Sequence, residues 1–424
     1  MAAEVETQAL VERLRPGPLD DDQERGAADV AELAGHAAGD PVLAPLAAWL
    51  RDDRVTTFFA GVFAGSPYLK ALIRRDPARL QRVLAAGPEQ HFARLSQGLH
   101  HDMAGVQDMA TAMRLVRVYK SEVALLIALA DLGQVWPVMV VTETLTKCAD
   151  AAVQSSVDFL FRQASARGDI SVDAACAGAN SGYIVLGMGK YGAGELNYSS
   201  DIDLIVFYDL QRARLKSGIE PMPFFVRITR DLVRLLDERT ADGYVFRTDL
   251  RLRPDAGATQ VALSTDGAMN YYESFGQNWE RAALIKARPV AGDIEAGEQF
   301  LSELAPFIWR RYLDYAAIAD VHAMKRQIHA FRGFGTIGVA GHNVKLGPGG
   351  IREIEFFAQT QQLIAGGRQK DLRVRRTLDA LVCLEARNWI LPEVRAHLSE
   401  AYLELRRIEH RVQMVADEQT HELP

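Results

Sequence analysis

The chain has 424 residues, and its 48% hydrophobic and 24% charged content is that of an ordinary folded protein. This length exceeds what one compact core usually holds and predicts roughly two or three domains. The net charge of −7 argues against bulk nucleic-acid binding, although one local basic face would suffice for a nucleotide. No apolar run approaches the length of a membrane span, so we expect neither nucleic acid nor membrane among the partners.

The cysteine pattern and the N-terminal segment indicate a cytoplasmic protein. Cys148, Cys176 and Cys383 are far apart in the sequence and lack metal-binding spacing, so we expect buried, reduced thiols. The N-terminal segment is acidic and has no apolar core of the kind that a signal peptide needs.

The first part of the chain, from about residue 25 to about residue 170, predicts helices because Ala and Leu are abundant. Glycine and proline interrupt the pattern at Gly65–Pro67, Asp76–Pro77, Gly87–Pro88 and Gln134–Pro137. One of these helices carries Arg114, Arg117 and Lys120. For that basic segment a solvated helix face is the favoured interpretation.

Tyr183–Asp209 combines two apolar strands with a glycine-rich loop between them. The second strand begins with Asp201-Ile202-Asp203, and residues two apart on a strand share a face, so the two aspartates project together. Mg²⁺ relieves the repulsion between neighbouring carboxylates and also binds phosphate oxygens. Glycines let backbone N–H groups approach a phosphate, and the loop contains Gly187, Gly189, Gly192 and Gly194. The stretch therefore predicts a magnesium and nucleotide site.

Two other interpretations of this stretch are weaker. The spacing of Gly187, Gly189 and Gly192 matches the dinucleotide-binding fingerprint, but that motif needs a full helix after the loop and an acid at the end of the next strand. Here polar Asn197–Ser200 intervene, and the next strand begins with its acids. The other alternative is a solvated strand start with two surface aspartates, which the glycine loop and apolar strands disfavour.

Tyr244–Arg253 shows a regular alternation that predicts one long strand. One face of this strand would carry Arg247, Asp249, Arg251 and Arg253, and arginines are fork-shaped donors suited to phosphate. The alternative is an exposed amphipathic strand with a salt-bridged aspartate.

Gly341–Phe357 contains a glycine-rich turn that leads into a helix extending to about Ala365. Lys345 precedes the turn and Arg352 lies in the first helical turn, so both bring positive charge to a helix N-terminus that already favours anions. A plain helix start with a glycine turn is the alternative.

The C-terminal part, from about Leu372 to Gln419, again predicts helix. Its expected buried seam consists of Leu398, Tyr402, Leu405, Ile408, Val412 and Val415. A long helix is also predicted from Arg310 to Phe331. Its His322 and His329 are seven residues apart, which is not the close spacing of paired zinc ligands, so no metal is expected there.

The strand, glycine turn and D-h-D pattern together resemble the polymerase β-like nucleotidyltransferases. Within that superfamily, LGMGKYGAGELNYSSDIDLIVFYD resembles the bacterial glutamine synthetase adenylyltransferase family, whose members add AMP to, and remove it from, a tyrosine of glutamine synthetase. The segment GELNYSSDIDL is similar to the N-terminal, adenylyl-removing half of that family. Gly187-Met188 departs from the Gly-Gly/Ser pair of the superfamily, so Ser199 or Ser200 is the expected substitute for the missing hydroxyl.

The resemblance implies an α+β, predominantly helical fold, in which a polymerase β-like nucleotidyltransferase core with a short mixed sheet is flanked by helical domains. We expect an N-terminal helical domain over 1–170, a nucleotidyltransferase-like catalytic domain over 171–300, and a C-terminal helical region over 301–424 that contains a phosphate-binding-like loop at 345–352. Complete family members continue through a regulatory region and a second catalytic half, so we expect the chain to be part of a longer enzyme.

The resemblance also implies a reaction, namely removal of AMP from adenylylated glutamine synthetase with inorganic phosphate as acceptor and ADP as product. Mg²⁺ is the implied cofactor, and its ligands and catalytic residues would be Asp201, Asp203 and Asp249. The implied nucleotide- and phosphate-binding residues are Gly187, Gly189, Lys190, Ser199, Ser200, Arg247, Arg251, Lys345 and Arg352. The PII signal protein is an implied partner of the longer enzyme. Two alternatives stay open: ATP-dependent adenylylation, and a non-catalytic module that binds nucleotide or PII.

Overall fold

The computed structural model describes residues 8–17, 23–310 and 339–424 of the chain. Most of these residues are helical and surround one small mixed sheet, so the predicted α+β, predominantly helical class is confirmed. The helix predicted from Arg310 to Phe331, with His322 and His329, lies outside the described residues except for Arg310 itself.

The described chain before residue 170 is built from helices, as predicted. They are α1 (Leu10–Arg13), α2 (Gln23–Ala38), α3 (Ala44–Trp49), α4 (Asp53–Gly65), α5 (Pro67–Arg75), α6 (Pro77–Ala85), α7 (Pro88–Ala104), α8 (Met109–Leu132) and α9 (Val138–Ala166). Proline begins α5, α6 and α7, because the first residue of a helix needs no intrahelical N–H partner. The predicted breaks before these three helices are thus confirmed.

The sheet lies in the middle of the chain. Its strands are β1 (Tyr183–Gly187), β2 (Ile202–Tyr208), β3 (Thr248–Asp249), β4 (Leu263–Ser264) and β5 (Arg288–Gly292). β1 is antiparallel to β2 and to β5, whereas β2 is parallel to both β3 and β4. The strand order β3-β2-β1-β5 therefore makes β1 and β2 the central pair.

The remaining helices surround this sheet and continue to the C-terminus. They are α10 (Gly189–Gly192), α11 (Pro221–Asp237), α12 (Thr265–Ser274), α13 (Asn278–Leu284), α14 (Ile294–Ile308), α15 (Ile351–Ala365), α16 (Thr377–Ala386) and α17 (Pro392–Met414). The stripe predicted for α11 is confirmed, since its members are all buried: Phe225, Ile228, Leu232 and Leu235.

The two faces of the central strands are buried in two different cores. Val185, Leu204 and Val206 belong to a large core shared with the N-terminal helices. Ile184 and Ile205 belong to a second core that includes residues of α12 and α14. This alternation follows from the two-residue period of a strand, and it leaves polar residues only where β2 begins.

The long strand predicted for Tyr244–Arg253 is wrong, because only Thr248–Asp249 pairs with the sheet. The N–H groups of Val245 and Phe246 donate to the carbonyl of Leu236, 2.9 and 3.2 Å away, near the end of α11. The guanidinium of Arg253 donates to backbone carbonyls of Leu250, Ala256 and Thr259. The segment is therefore a connection that touches the sheet over two residues.

The apolar seam predicted for the last helix is also wrong, because α17 buries a mostly polar face. The buried residues are Tyr402, Arg406, Glu409, His410, Gln413 and Met414. Of the predicted seam only Tyr402 is buried, and Val415 is 45% exposed. Arg406 donates to the Glu195 carbonyl in the loop that follows α10, Glu409 pairs with Lys190 of α10, and His410 lies 2.9 Å from Asp131 of α8.

No helix in the three described ranges combines the length and the apolar character that a membrane crossing needs. The cysteines are free, but only Cys148 is buried; Cys176 is exposed and Cys383 half-buried, so the expectation of three buried thiols is wrong.

Arg117 of α8 is a buried structural residue that joins the N-terminal helices to the segment after α11. Its guanidinium is fully buried and donates to the carbonyls of Gly243, Leu235 and Glu238, and also to that of Met113 in its own helix. A helix end leaves its last carbonyls without intrahelical partners, so this arginine satisfies groups that would otherwise be buried unpaired.

We therefore expect Arg117→Met to lower the free energy of unfolding by at least about 3 kcal/mol, since several buried carbonyls lose their donor. Urea denaturation measures this directly. Arg114→Met, at an exposed position one turn earlier, is the matched control and should change stability little. Equal effects of the two substitutions would contradict the assigned role.

Candidate active site

The structure brings Asp203 and Asp249 side by side at the start of β2. β2 and β3 are parallel, and Asp203 is the direct register partner of Asp249, as Ile202 is of Thr248. The N–H of Ile202 donates to the carbonyl of Arg247 at 2.9 Å, which fixes the two chains at this point. Asp203 and Asp249 are therefore neighbours because β2 and β3 pair with each other over two residues.

The glycine loop presents bare backbone to Asp203. Gly189 has φ +52°, a left-handed conformation that favours glycine, and a Cβ added there would lie 3.1 Å from Asp203 Oδ2. The N–H of Met188 donates to the Asp203 carbonyl at 2.9 Å. Gly187, at the end of β1, has a packing role, because an added Cβ would lie 2.7 Å from Val290 Cγ1.

The ionised form of the Asp203 carboxyl group is destabilised by its surroundings. Burial, followed by the neighbouring charges of Asp249 and Asp201, raises its pKa to about 6. The charges of Lys345 and Arg251 oppose this rise without cancelling it. Within the described ranges no lysine, arginine or histidine forms an ion pair with Asp203.

The other two aspartates are each held by an arginine. Arg247 Nε donates to Asp201 Oδ1 at 2.6 Å, and the same guanidinium donates to the Tyr244 hydroxyl and to the Ser199 carbonyl. Arg251 pairs with Asp249, with its Nε 2.9 Å from Oδ2, and this hydrogen bonding lowers the pKa of Asp249. Because the Arg251 side chain is 84% exposed, it can leave Asp249 at small cost.

The donor set fits a hard divalent cation through Asp203 and Asp249. Both offer carboxylate oxygens, which Mg²⁺ prefers, and the raised pKa of Asp203 indicates negative charge that lacks compensation. Asp201 could join them only by exchanging its contact with Arg247. In the described parts of the chain there is no group of three or more Asp, Glu, His or Cys side chains that is arranged to hold a metal ion.

Lys190 lies in the loop but turns away from the carboxylates towards α17. Its Nζ is 3.2 Å from Glu409 Oε2, in a site where burial lowers the lysine pKa to about 8. Burial alone would raise the pKa of Glu409, but Lys190 and other neighbours hold it well below its usual range. The binding role expected for Lys190 therefore stays a prediction, and its observed role is to anchor the loop.

A second set of buried charges anchors the residue after the last loop glycine. Glu195 accepts hydrogen bonds from the N–H and the hydroxyl of Thr377, at 3.0 and 3.2 Å, and lies 3.6 Å from Lys286 Nζ. Arg406 of α17 donates to the Glu195 carbonyl at 2.7 Å. The glycine loop is thus fixed on its far side by helices that come much later in the chain.

The loop at 345–352 has its backbone donors already occupied. The N–H groups of Gly350, Ile351 and Arg352 donate to the carbonyls of Gly347, Val344 and Lys345 at 2.9–3.0 Å. Any anion here must therefore be bound by side chains rather than by the start of α15. Lys345 Nζ lies 3.4 Å from His421 Nε2, and its charge acts on Asp203.

Among the other expected binding residues, Arg352 is exposed and forms no ion pair with any described residue. The hydroxyl of Ser199 donates to the Asp417 carbonyl at 2.7 Å and is therefore committed to a structural contact. Ser200 lies on the wall of a cavity beside the site.

Sequence reasoning missed the residues that support the site. Glu195, Arg406 and Glu409 are fully buried and charged, and they position the glycine loop. The sequence does give a signal for Glu195, because it is a charged residue directly after the loop glycines. No comparable signal exists for Arg406 and Glu409, whose partners are about two hundred residues away in sequence.

Two family models match the chain. Residues 57–303 match the family model described as "Glutamate-ammonia ligase adenylyltransferase". Residues 322–424 match the model described as "GlnD PII-uridylyltransferase". The first match covers more than half of the chain and includes the sheet, the glycine loop and all three aspartates.

Three curated relatives carry the name "Bifunctional glutamine synthetase adenylyltransferase/adenylyl-removing enzyme". The protein of Rhodopseudomonas palustris (strain ATCC BAA-98 / CGA009) is 54% identical over 429 residues, which is 100% of this chain and 43% of the relative. That of Bradyrhizobium sp. (strain ORS 278) is 57% identical over 89% of the chain and 39% of the relative. That of Xanthobacter autotrophicus (strain ATCC BAA-1158 / Py2) is 58% identical over 86% and 37%. The chain spans less than half the length of each, and at this identity it belongs to the glutamine synthetase adenylyltransferase/adenylyl-removing family.

Proposed function

We propose that the chain removes AMP from adenylylated glutamine synthetase by phosphorolysis, so that inorganic phosphate attacks the adenylyl-tyrosine and ADP is released. The observation that carries the proposal is the pair of neighbouring carboxylates, Asp203 and Asp249, beside the bare backbone of Gly189. Such a pair suits metal-assisted transfer of a phosphoryl group. The names of the relatives include both adenylyl removal and adenylyl transfer.

In this reaction a phosphate oxygen forms a bond to the AMP phosphorus as the bond to the tyrosine oxygen breaks. Asp203 and Asp249 would hold Mg²⁺, which when bound neutralises charge on the transferring group and on the departing oxygen. A phenol has a pKa near 10, so the tyrosine leaves without a strong general acid and takes up a proton afterwards. The chain must therefore supply orientation and positive charge more than proton transfer.

Three basic side chains are candidates for holding the attacking phosphate. Arg251 is exposed and hydrogen-bonds to Asp249, Lys345 Nζ lies 3.4 Å from His421 Nε2, and Arg352 is exposed. Arg247 is less available, because Asp201, Tyr244 and a backbone carbonyl already occupy its guanidinium. We therefore assign Arg247 to positioning Asp201, and the other three to the acceptor side.

The choice of removal over addition rests on the segment GELNYSSDIDL and on the arginines that flank Asp249. The same carboxylates would serve ATP-dependent adenylylation, so the direction has to be tested. We expect the chain, incubated with adenylylated glutamine synthetase, Mg²⁺ and phosphate, to form ADP, and to form none when phosphate is omitted.

The assay has two contrary outcomes. Free AMP as the main product would indicate hydrolysis. Robust transfer of labelled AMP from ATP to unmodified glutamine synthetase would mean that the chain catalyses addition.

A further inference from the structure

A cavity beside Asp201 is not used by the chemistry described so far. It lies where α8, the segment 197–200, the connection after α11 and the end of α17 meet. Its buried wall is apolar and includes Val123, Ile127 and Met414. The partly exposed residues that mark its mouth are Tyr68, Lys120, Ser199, Ser200, Tyr244 and Asp417.

Two buried amide side chains in the cavity wall each leave one polar atom unpaired. Arg406 donates to Asn197 Oδ1, which leaves Asn197 Nδ2 as a donor without a partner. The Nε2 of Gln413 donates to the Thr420 carbonyl at 3.4 Å, which leaves Gln413 Oε1 as an acceptor without a partner. Both residues are at least 97% buried, and unpaired polar atoms at such depth are costly.

The mouth of the cavity has two aromatic rings. Lys120 Nζ lies 5.9 Å from the centroid of the Tyr68 ring and 5.2 Å from that of Tyr244, and 3.7 Å from Asp417 Oδ2. A cation over two rings occupies a place that a flat π-system could also take. The aromatic faces, the apolar wall and the two amides are the usual components of a site for a heterocycle.

The cavity is connected directly to the candidate active site. Ser200 in its wall is followed by Asp201, and the guanidinium of Arg247 joins Asp201 to the Tyr244 hydroxyl and the Ser199 carbonyl at the mouth. A ligand whose one end lies in the cavity would therefore have its other end near the carboxylates.

We propose that this cavity binds the adenine base of the adenylyl group, with Asn197 Nδ2 donating to a ring nitrogen and Gln413 Oε1 accepting from the exocyclic amino group. The assignment rests on the proposed function, which places an adenylyl group at Asp203. Adenine presents an acceptor nitrogen next to an amino donor, which complements one amide donor and one amide acceptor. Guanine presents a carbonyl where adenine has the amino group, so Gln413 would select against it.

The cavity must open somewhat to receive a base. Its present free volume is about 40 Å³, the equivalent of about three ordered water molecules. A purine needs more room, so it must displace the ammonium of Lys120 from between Tyr68 and Tyr244. Lys120 would keep Asp417 as its partner and would lie closer to the phosphates.

Calorimetric titration of the chain with ADP and with GDP, each with Mg²⁺, tests this assignment. We expect ADP to bind at least about tenfold more tightly than GDP, since the two ligands differ only in the base. Gln413→Leu should remove most of this preference for ADP over GDP. Ala124→Phe places a ring at the partly exposed edge of the cavity and should weaken the binding of ADP at least about tenfold. Gln299→Leu on α14, far from the cavity, is the matched control and should change neither affinity.

Each contrary result overturns the assignment. The first is equal affinity for ADP and GDP, and the second is no binding of ADP at millimolar concentration. The third is an unchanged affinity for ADP in Ala124→Phe, provided that this variant has the same melting temperature as the unsubstituted chain. The titration contains no glutamine synthetase, so its result does not depend on whether the chain catalyses the proposed reaction. Base-selective binding without turnover would refute the reaction alone, and phosphate-dependent turnover that is insensitive to Ala124→Phe would refute the cavity assignment alone.

Discussion

Asp203→Asn is expected to lower the rate of ADP formation from adenylylated glutamine synthetase by about 10³-fold, the factor typical for loss of one preorganised electrostatic group. The substitution keeps the shape of the side chain and removes a charge that has no cationic partner in the described structure. Asp266→Asn, at an exposed carboxylate in the first turn of α12, is the matched control and should leave the rate unchanged. Near-normal turnover of Asp203→Asn at limiting Mg²⁺ would contradict the assignment of Asp203 as a metal ligand.

The same variant should be more stable than the unsubstituted chain when metal is chelated. The pKa of Asp203 is raised to about 6 from 3.8, so the folded state binds the proton more tightly than the unfolded state. The ionised group therefore destabilises the fold above about pH 6, by roughly 2–3 kcal/mol, and this penalty disappears as the pH falls to about 4. We expect Asp203→Asn to raise the melting temperature at pH 7.5 and to have little effect at pH 4.

Asp249→Asn should damage activity about as severely as Asp203→Asn, because the two carboxylates are register partners and would hold the same metal ion. Arg251→Ala should behave differently. Its guanidinium is exposed and holds Asp249 only from outside, so its loss should raise the phosphate concentration needed for half-maximal rate rather than abolish turnover.

The measurement for this pair is the rate of ADP formation as a function of phosphate and Mg²⁺ concentration. Arg234→Ala serves as the control, since Arg234 is also exposed and paired with a carboxylate, that of Glu238, but lies on α11 away from the site. If Asp249→Asn retained high activity while Asp203→Asn lost it, Asp249 would not belong to the metal site.

The carboxylates were predictable because their signal is local. Asp201 and Asp203 are two residues apart at the start of an apolar run, and Gly189, which faces Asp203, is nearby in the sequence. Proline in the first turn of α5, α6 and α7 is an equally local signal. Such patterns hold because the physical constraint acts within a few residues.

The misassigned elements depend on distant partners. Tyr244–Arg253 alternates like a strand, but the backbone of Val245 and Phe246 bonds to the end of α11, and alternation does not reveal which partner the backbone will find. Similarly, α17 was expected to bury its apolar stripe. It buries Arg406 and Glu409 instead, because the glycine loop supplies partners for them, the carbonyl of Glu195 and the ammonium of Lys190, and hydrophobic periodicity does not reveal such pairing.

The central claim is that Asp203 and Asp249 support transfer of AMP from a tyrosine to inorganic phosphate. The most direct test supplies isotopically labelled phosphate together with unlabelled adenylylated glutamine synthetase, and follows where the label appears. The proposed reaction predicts that label enters the β-phosphate of ADP, one label for each tyrosine released, and that Asp203→Asn abolishes this transfer. Release of AMP with all label remaining in free phosphate would contradict it.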